Sequence, residues 1–185
     1  MPAENEIPYI LDFDITPARL ESAGWKKVPI RQGYLDNGPR IRDYDGSRIF
    51  TYKRWIAEKN RDTEIETTLN EEDFNDLWNE CSAFIAKDRY YCPDNTDTIE
   101  WAVDFVKDKQ GNVIMIRAEV EMREDGMETP PFIPDLIEPH IFYEIPKGSF
   151  EFSNMNMAKG GTAHIRQLLQ KIGLEAPLDK SGPEM

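Results

Sequence analysis

The sequence predicts a mainly β protein with flanking helices, an α+β class built on antiparallel strands. Three observations predict it. Stretch after stretch alternates apolar and polar residues with period two, as in "RDTEIETTL" and "TIEWAVDFVKD". Turn signals join neighbouring stretches, above all Asp45-Gly46 and "DKQGN". Helical period appears in only a few segments, each bounded by residues that start or stop a helix.

In chain order, "ITPARLESAG" reads as a short helix. Thr16 suits its N-cap, Pro17 its first position and Gly24 its end. "IRQGYL" opens the β series. "PRIRDYDGSRIFTYKRW" reads as a hairpin turning at Asp45-Gly46, and "RDTEIETTL" as the next strand. In "NEEDFNDLWNECSAFIAKD" the period changes. Phe74, Leu77, Trp78, Cys81, Phe84 and Ile85 fall on one apolar stripe behind an Asn70 cap, with acids in the first turn. "KDRYYC" and "TIEWAVDFVKD" follow as strands, the latter in a hairpin with "VIMIRAEVEM". "METPPFIPDLIEP" is a proline-rich loop, "HIFYEIP" one more strand, and "GTAHIRQLLQKIG" an amphipathic helix ending at Gly173.

A chain of 185 residues suits one domain, expected over 1–175, with a frayed tail over 176–185. The net charge of −13, from 35 acids and 22 bases, argues against general nucleic-acid binding. It leaves room for a small anion in a local basic pocket. No apolar run reaches membrane-spanning length, and "MPAENEIPYI" lacks the pattern of a signal peptide, so no membrane association is expected. Cys81 and Cys92 read as reduced thiols of a cytoplasmic protein. A zinc site finds no support, because only His140 and His164 are present and no spacing fits.

Strand parity is the sharper signal. Successive side chains on a strand point to opposite faces. Arg40 and Arg42 share a face, as do Glu64 and Glu66, Lys87 and Arg89, Glu100 and Asp104, and Glu119 and Glu121. Opposite Asp104 stand Ile99, Trp101, Val103 and Phe105. Parity allows two architectures. One is an antiparallel sheet with its ionic face in water. The other is a closed or nearly closed barrel with the charges inward and helices over its apolar exterior. Lys53 and Arg54 are adjacent, and parity does not say which shares the ionic face. Trp78, Phe84, Trp101 and Phe105 read as core.

The order of these pieces resembles the CYTH superfamily, the triphosphate tunnel metalloenzymes. "RIRDYDGSRIFTYKR" looks like that family's R-x-R strand and the strand ending in Tyr-Lys. "RDTEIETTLNEEDFNDLW" resembles its E-x-E strand and following helix, and "KDRYYC" its K-x-R strand. "WAVDFVKDKQGNVIMIRAEVEM" matches most closely, and "FSNMNMA" is similar to a late aromatic-Ser-Asn segment. The resemblance covers roughly residues 30 to 158 and implies an eight-stranded antiparallel tunnel. It implies that Arg40, Arg42, Lys53, Lys87 and Arg89 clamp phosphates. It also implies that Glu64, Glu66, Asp104, Glu119 and Glu121 surround Mg²⁺ or Mn²⁺, with Glu119 and Glu121 next to the chemistry.

The family's N-terminal E-x-E-x-K strand is not matched. Aligning Glu6 with its first Glu puts Pro8 and Ile10 where Glu and Lys stand. Asp12 and Asp14 share a parity and are the nearest replacement acids, but no lysine follows in place. Two expectations therefore stand together. One is a metal-dependent triphosphatase acting on inorganic or organic triphosphate. The other is a non-catalytic phosphate-anion or protein-binding module on the same fold.

Overall fold

A computed structural model describes residues 5–36, 38–56, 61–124 and 126–177. Among these, nine strands form a single antiparallel sheet, with three α-helices. The strands are β1 Asn5–Leu11, β2 Lys26–Tyr34, β3 Arg40–Tyr44, β4 Ser47–Ile56, β5 Arg61–Thr68, β6 Ala83–Tyr91, β7 Ile99–Lys107, β8 Val113–Met122 and β9 Ile141–Glu144. The helices are α1 Pro17–Ser22, α2 Glu71–Asn79 and α3 Asn154–Lys171.

Sheet order is β5-β4-β3-β2-β6-β7-β8-β1-β9. This corrects two expectations. There are nine strands rather than eight. The sheet has two ends, β5 and β9, which do not pair with each other among the described residues, so it is not closed into a barrel.

Local chemistry explains most elements. The Thr16 hydroxyl accepts from the Arg19 amide at the start of α1, and Pro17 needs no partner there. Asp45 and Gly46 both take positive φ, 50° and 84°, as a two-residue hairpin turn between right-twisted strands requires. Asn70 caps α2 by accepting from the Asp73 amide at 2.8 Å. The expected α2 stripe is cut short. The helix ends at Asn79, and Phe84 and Ile85 belong to β6. Phe84 is 45% exposed rather than core, leaning on Trp78 with ring centroids 5.1 Å apart. The final helix starts earlier than its sequence pattern suggested, at a Ser153 cap, and kinks at Gly161, where φ is 64°.

The core lies on both sides of the sheet. On one face, Tyr9, Leu11, Tyr90, Trp101, Val103 and Val120 pack under α1 and the irregular segment carrying Phe132 and Ile137. Trp101 donates its indole N–H to the Phe132 carbonyl at 3.1 Å. A small cluster of Ile41, Phe74 and Cys81 seats α2. Contrary to the picture of all helices over the apolar exterior, α3 packs on the other face. There it covers Ile10, Ile85, Val106 and Met115, which share parity with the ionic residues. The expected tail is described only at residues 176 and 177. Ala176 packs against the α3 cluster, and 178–185 lie outside the described residues.

A candidate anion site on the ionic face of the sheet

Register decides which side chains meet. Lys53 pairs with Glu64, and Thr51 with both Glu66 and Arg40. Arg42 stands opposite Gln32, which neighbours Ile85 on β6. Arg89 stands opposite Asp104, which stands opposite Arg117. Ala102 stands opposite Glu119, and Glu100 opposite Glu121. Following parity through these pairs puts Arg40, Arg42, Lys53, Glu64, Glu66, Lys87, Arg89, Asp104, Glu119 and Glu121 on one face. Register also settles Lys53 over Arg54 for that face.

The centre of the face is dry and densely charged. Asp104 is 1% exposed and Lys87 4%. Lys87 Nζ lies 2.6 Å from Asp104 Oδ2, and Arg89 Nε and Nη2 lie 2.7 Å from Oδ1 and Oδ2. The same Arg89 Nη2 reaches Glu119 Oε2 at 2.5 Å. On the other side of Glu119, Arg117 Nη2 lies 2.7 Å from Oε1. Arg117 also donates through Nη1 to the Phe152 carbonyl at 3.1 Å, just before α3. Two carboxylates thus lie among three cations, Lys87, Arg89 and Arg117.

Proton affinities follow from this arrangement. Burial alone would raise the Asp104 carboxyl, but Arg89 and Lys87 hold it well below the usual carboxylate range. Glu119 is lowered in the same way: burial opposes its charge, and Arg117, Arg89 and Lys87 overcome it. Burial opposes the Arg89 cation, yet Asp104 and Glu119 raise its pKa well above the ordinary value. For Lys87, burial and Arg89 win over its partner Asp104 and lower its pKa.

The positive charge extends towards β3. Arg42 is lowered by burial and then by repulsion from Arg40 and Arg89. Its partner Glu66 is 3.6 Å away, and the Arg40–Glu64 separation is 3.7 Å, beyond hydrogen-bond range in both cases. Tyr34 lies within the field of Arg40, Arg42 and Arg117, and burial still pushes its phenol up to about 12. Among the described residues the buried Nε–H groups of Arg40, Arg42 and Arg117 find no protein acceptor. Past this cluster, the Tyr44 hydroxyl donates to that of Tyr91 at 2.5 Å, beside a cavity of about 580 Å³ that also touches Glu100. A second cavity, of about 380 Å³, is lined by Arg31, Asp43, Asp88 and Lys107. Neither is lined by Arg42, Arg89 or Glu119.

The structure brings together Lys87, Arg89, Asp104 and Glu119, with Arg40 and Arg42 nearby. It does not bring all the acids together. Glu64 and Glu66 on β5 lie instead beside Arg40 and Arg42 on β3, and five strands separate β5 from β8 in the sheet order. Glu121 is instead held by Arg123, which also reaches Glu100. Among the described residues no three His, Cys, Asp or Glu groups gather closely enough to hold a metal ion. Asp12 serves elsewhere, 2.9 Å from His140 Nδ1. In β1 it is Pro8 and Ile10 that flank Glu119 and Arg117.

Arg117 is the residue that sequence reasoning missed. Its signal was parity, since it precedes Glu119 by two in "VIMIRAEVEM" and so shares its face. No family model and no curated protein matches the chain. Among solved structures, a putative adenylate cyclase from Bacillus halodurans superposes with a TM-score of 0.42 at 10% identity, covering 96% of this chain and 94% of that one. At that score the likeness carries no argument about fold family or function. Among the described residues no helix is long and apolar enough to cross a membrane.

Proposed function

We propose that the chain binds a phosphate-rich small anion of the triphosphate type on the ionic face of its sheet. Arg40, Arg42, Lys53, Lys87 and Arg89 are the expected contacts, joined by Arg117. The observation that carries the reading is the set of buried, acceptorless Nε–H groups on Arg40, Arg42 and Arg117. A buried donor left unsatisfied costs about 1–3 kcal/mol, and a phosphate oxygen accepting from these guanidinium groups would remove that cost. Repulsion among Arg40, Arg42 and Arg89 points the same way. The order of R-x-R, K-x-R and E-x-E strands adds support from sequence.

The reading is one of binding rather than turnover. Glu119 is ionised but tied to two guanidinium groups, and a carboxylate with a lowered pKa is a weak general base. Glu121 is shared with Arg123. A cytoplasmic location belongs to the same reading, and two buried free thiols support it. Calorimetric titration with sodium tripolyphosphate tests the proposal. Wild type binds, and the Arg40→Ala/Arg42→Ala double variant loses at least tenfold in affinity. Unchanged affinity in that variant would place the anion elsewhere.

A further inference from the structure

The two buried acids at the centre of this face, Asp104 and Glu119, have every carboxylate oxygen bonded to a cation of the chain. We infer that the face takes its anion without a divalent cation, the guanidinium groups of Arg89, Arg117, Arg40 and Arg42 neutralising the phosphate oxygens instead. This rests on the anion-binding reading above and goes one step further.

A hard cation such as Mg²⁺ needs several open oxygen ligands in near-octahedral array. Asp104 has little to give, because Oδ1 accepts from Arg89 and Oδ2 from both Lys87 and Arg89, which fills three of its about four acceptor sites. Glu119 has both oxygens on guanidinium groups, Oε2 on Arg89 and Oε1 on Arg117. To coordinate a metal, either acid would give up charge-assisted bonds in a site from which water is largely excluded, and Lys87 or Arg89 would lose a buried counter-charge. Glu64 and Glu66 lie beside Arg40 and Arg42, and among the described residues no third acid joins Asp104 and Glu119 in a cluster. The unmet need on this face lies with donors: the orphaned Nε–H groups ask for acceptor oxygens, not for another cation.

Arginine is suited to that part. Its planar fork stays charged at any physiological pH and gives two parallel bonds to a phosphate. The acids then have a role that is not ligation. Asp104 and Glu119 keep Lys87, Arg89 and Arg117 packed together, where mutual repulsion would otherwise drive them apart.

The test is titration of the full chain with tripolyphosphate in EDTA and again in excess Mg²⁺ or Mn²⁺, with wild type and Glu119→Gln compared in each. Affinity in EDTA should lie within tenfold of that in either metal. Glu119→Gln, which removes the charge between Arg89 and Arg117 but keeps a carbonyl acceptor, should show the same ratio of affinities in EDTA and in metal as wild type. A gain of more than tenfold on adding metal, or a metal-dependent loss in Glu119→Gln, would overturn the inference while leaving the anion site standing. Absence of binding under every condition would overturn both. Because the EDTA comparison uses the wild-type chain, it decides even if the variant folds poorly.

Discussion

Arg89 on β6 and Asp104 on β7 are direct cross-strand partners, joined by two parallel bonds of 2.7 Å in a nearly solvent-free site. Lys87 closes on the same carboxylate from two residues along β6. A buried pair of this kind costs most when one side is removed, because the other charge is left in a dry place. Asp104→Ala is therefore expected to destabilise the fold by about 3–5 kcal/mol. Urea unfolding of the variant measures this, with the denaturant slope showing whether the folded state stays intact.

The same network sets an acid limit. Asp104 and Glu119 have folded pKa values below their ordinary ones. Around pH 4 the unfolded chain therefore binds more protons than the folded one. Their contribution is fully present above the ordinary carboxylate pKa of about 4 and is lost as pH falls through the depressed folded values. Glu119→Gln has no proton to take up there. Its stability should fall less steeply than wild type between about pH 5 and pH 3, as thermal melts across that range would show.

Close packing where α2 meets the sheet gives a third expectation. A Cβ added at Gly33 would sit 2.7 Å from Cys81 Sγ and 3.1 Å from its Cβ. Overpacking of this kind costs about 1–3 kcal/mol. Gly33→Ala should be destabilised by that amount, and adding Cys81→Ala should recover part of it by removing the sulfur. A double-mutant cycle on unfolding free energies reads the coupling. Equal losses in the single and double variants would mean the strain is relieved elsewhere.

A fourth concerns the cap of α2. The Asn70 side chain accepts from the Asp73 amide at 2.8 Å in an exposed first turn rich in acids. Asn70→Ala should cost about 1 kcal/mol, and Asn70→Asp should cost much less, since a carboxylate caps as well. Chemical denaturation of the two variants separates these outcomes.

Much of this was legible from residue order. The Thr16–Pro17 start, the Asp45-Gly46 turn and the β7–β8 hairpin follow from local chemistry, and the structure has each of them. Parity alone placed nine of the ten charged residues within common strand faces, and left Lys53 open against Arg54. What local chemistry does not encode is which strands become neighbours. That β6 lies between β2 and β7, and β1 between β8 and β9, is a long-range outcome, and it decides that Arg89 meets Asp104 while Glu64 meets Arg40. The overlong α2 stripe has a different cause. Phe84 and Ile85 continue the helical spacing by chance, because a strand carrying apolar residues on both faces is ambiguous over so short a run. Arg117 was passed over because attention went to the two acids beside it, though the same parity applies.

Phosphate bound on the ionic face would accept from the guanidinium donors of Arg40, Arg42 and Arg117. Arginine Nε–H resonances report this directly. Arg40, Arg42 and Arg117 carry such groups on the ionic face, while Arg48, whose Nε–H also lacks an acceptor, lies on the opposite face beside Phe74. In ¹⁵N-labelled protein titrated with tripolyphosphate, the Nε–H signals of Arg40, Arg42 and Arg117 should shift together and saturate, and that of Arg48 should stay. No shift in the three, or an equal shift at Arg48, would contradict the account.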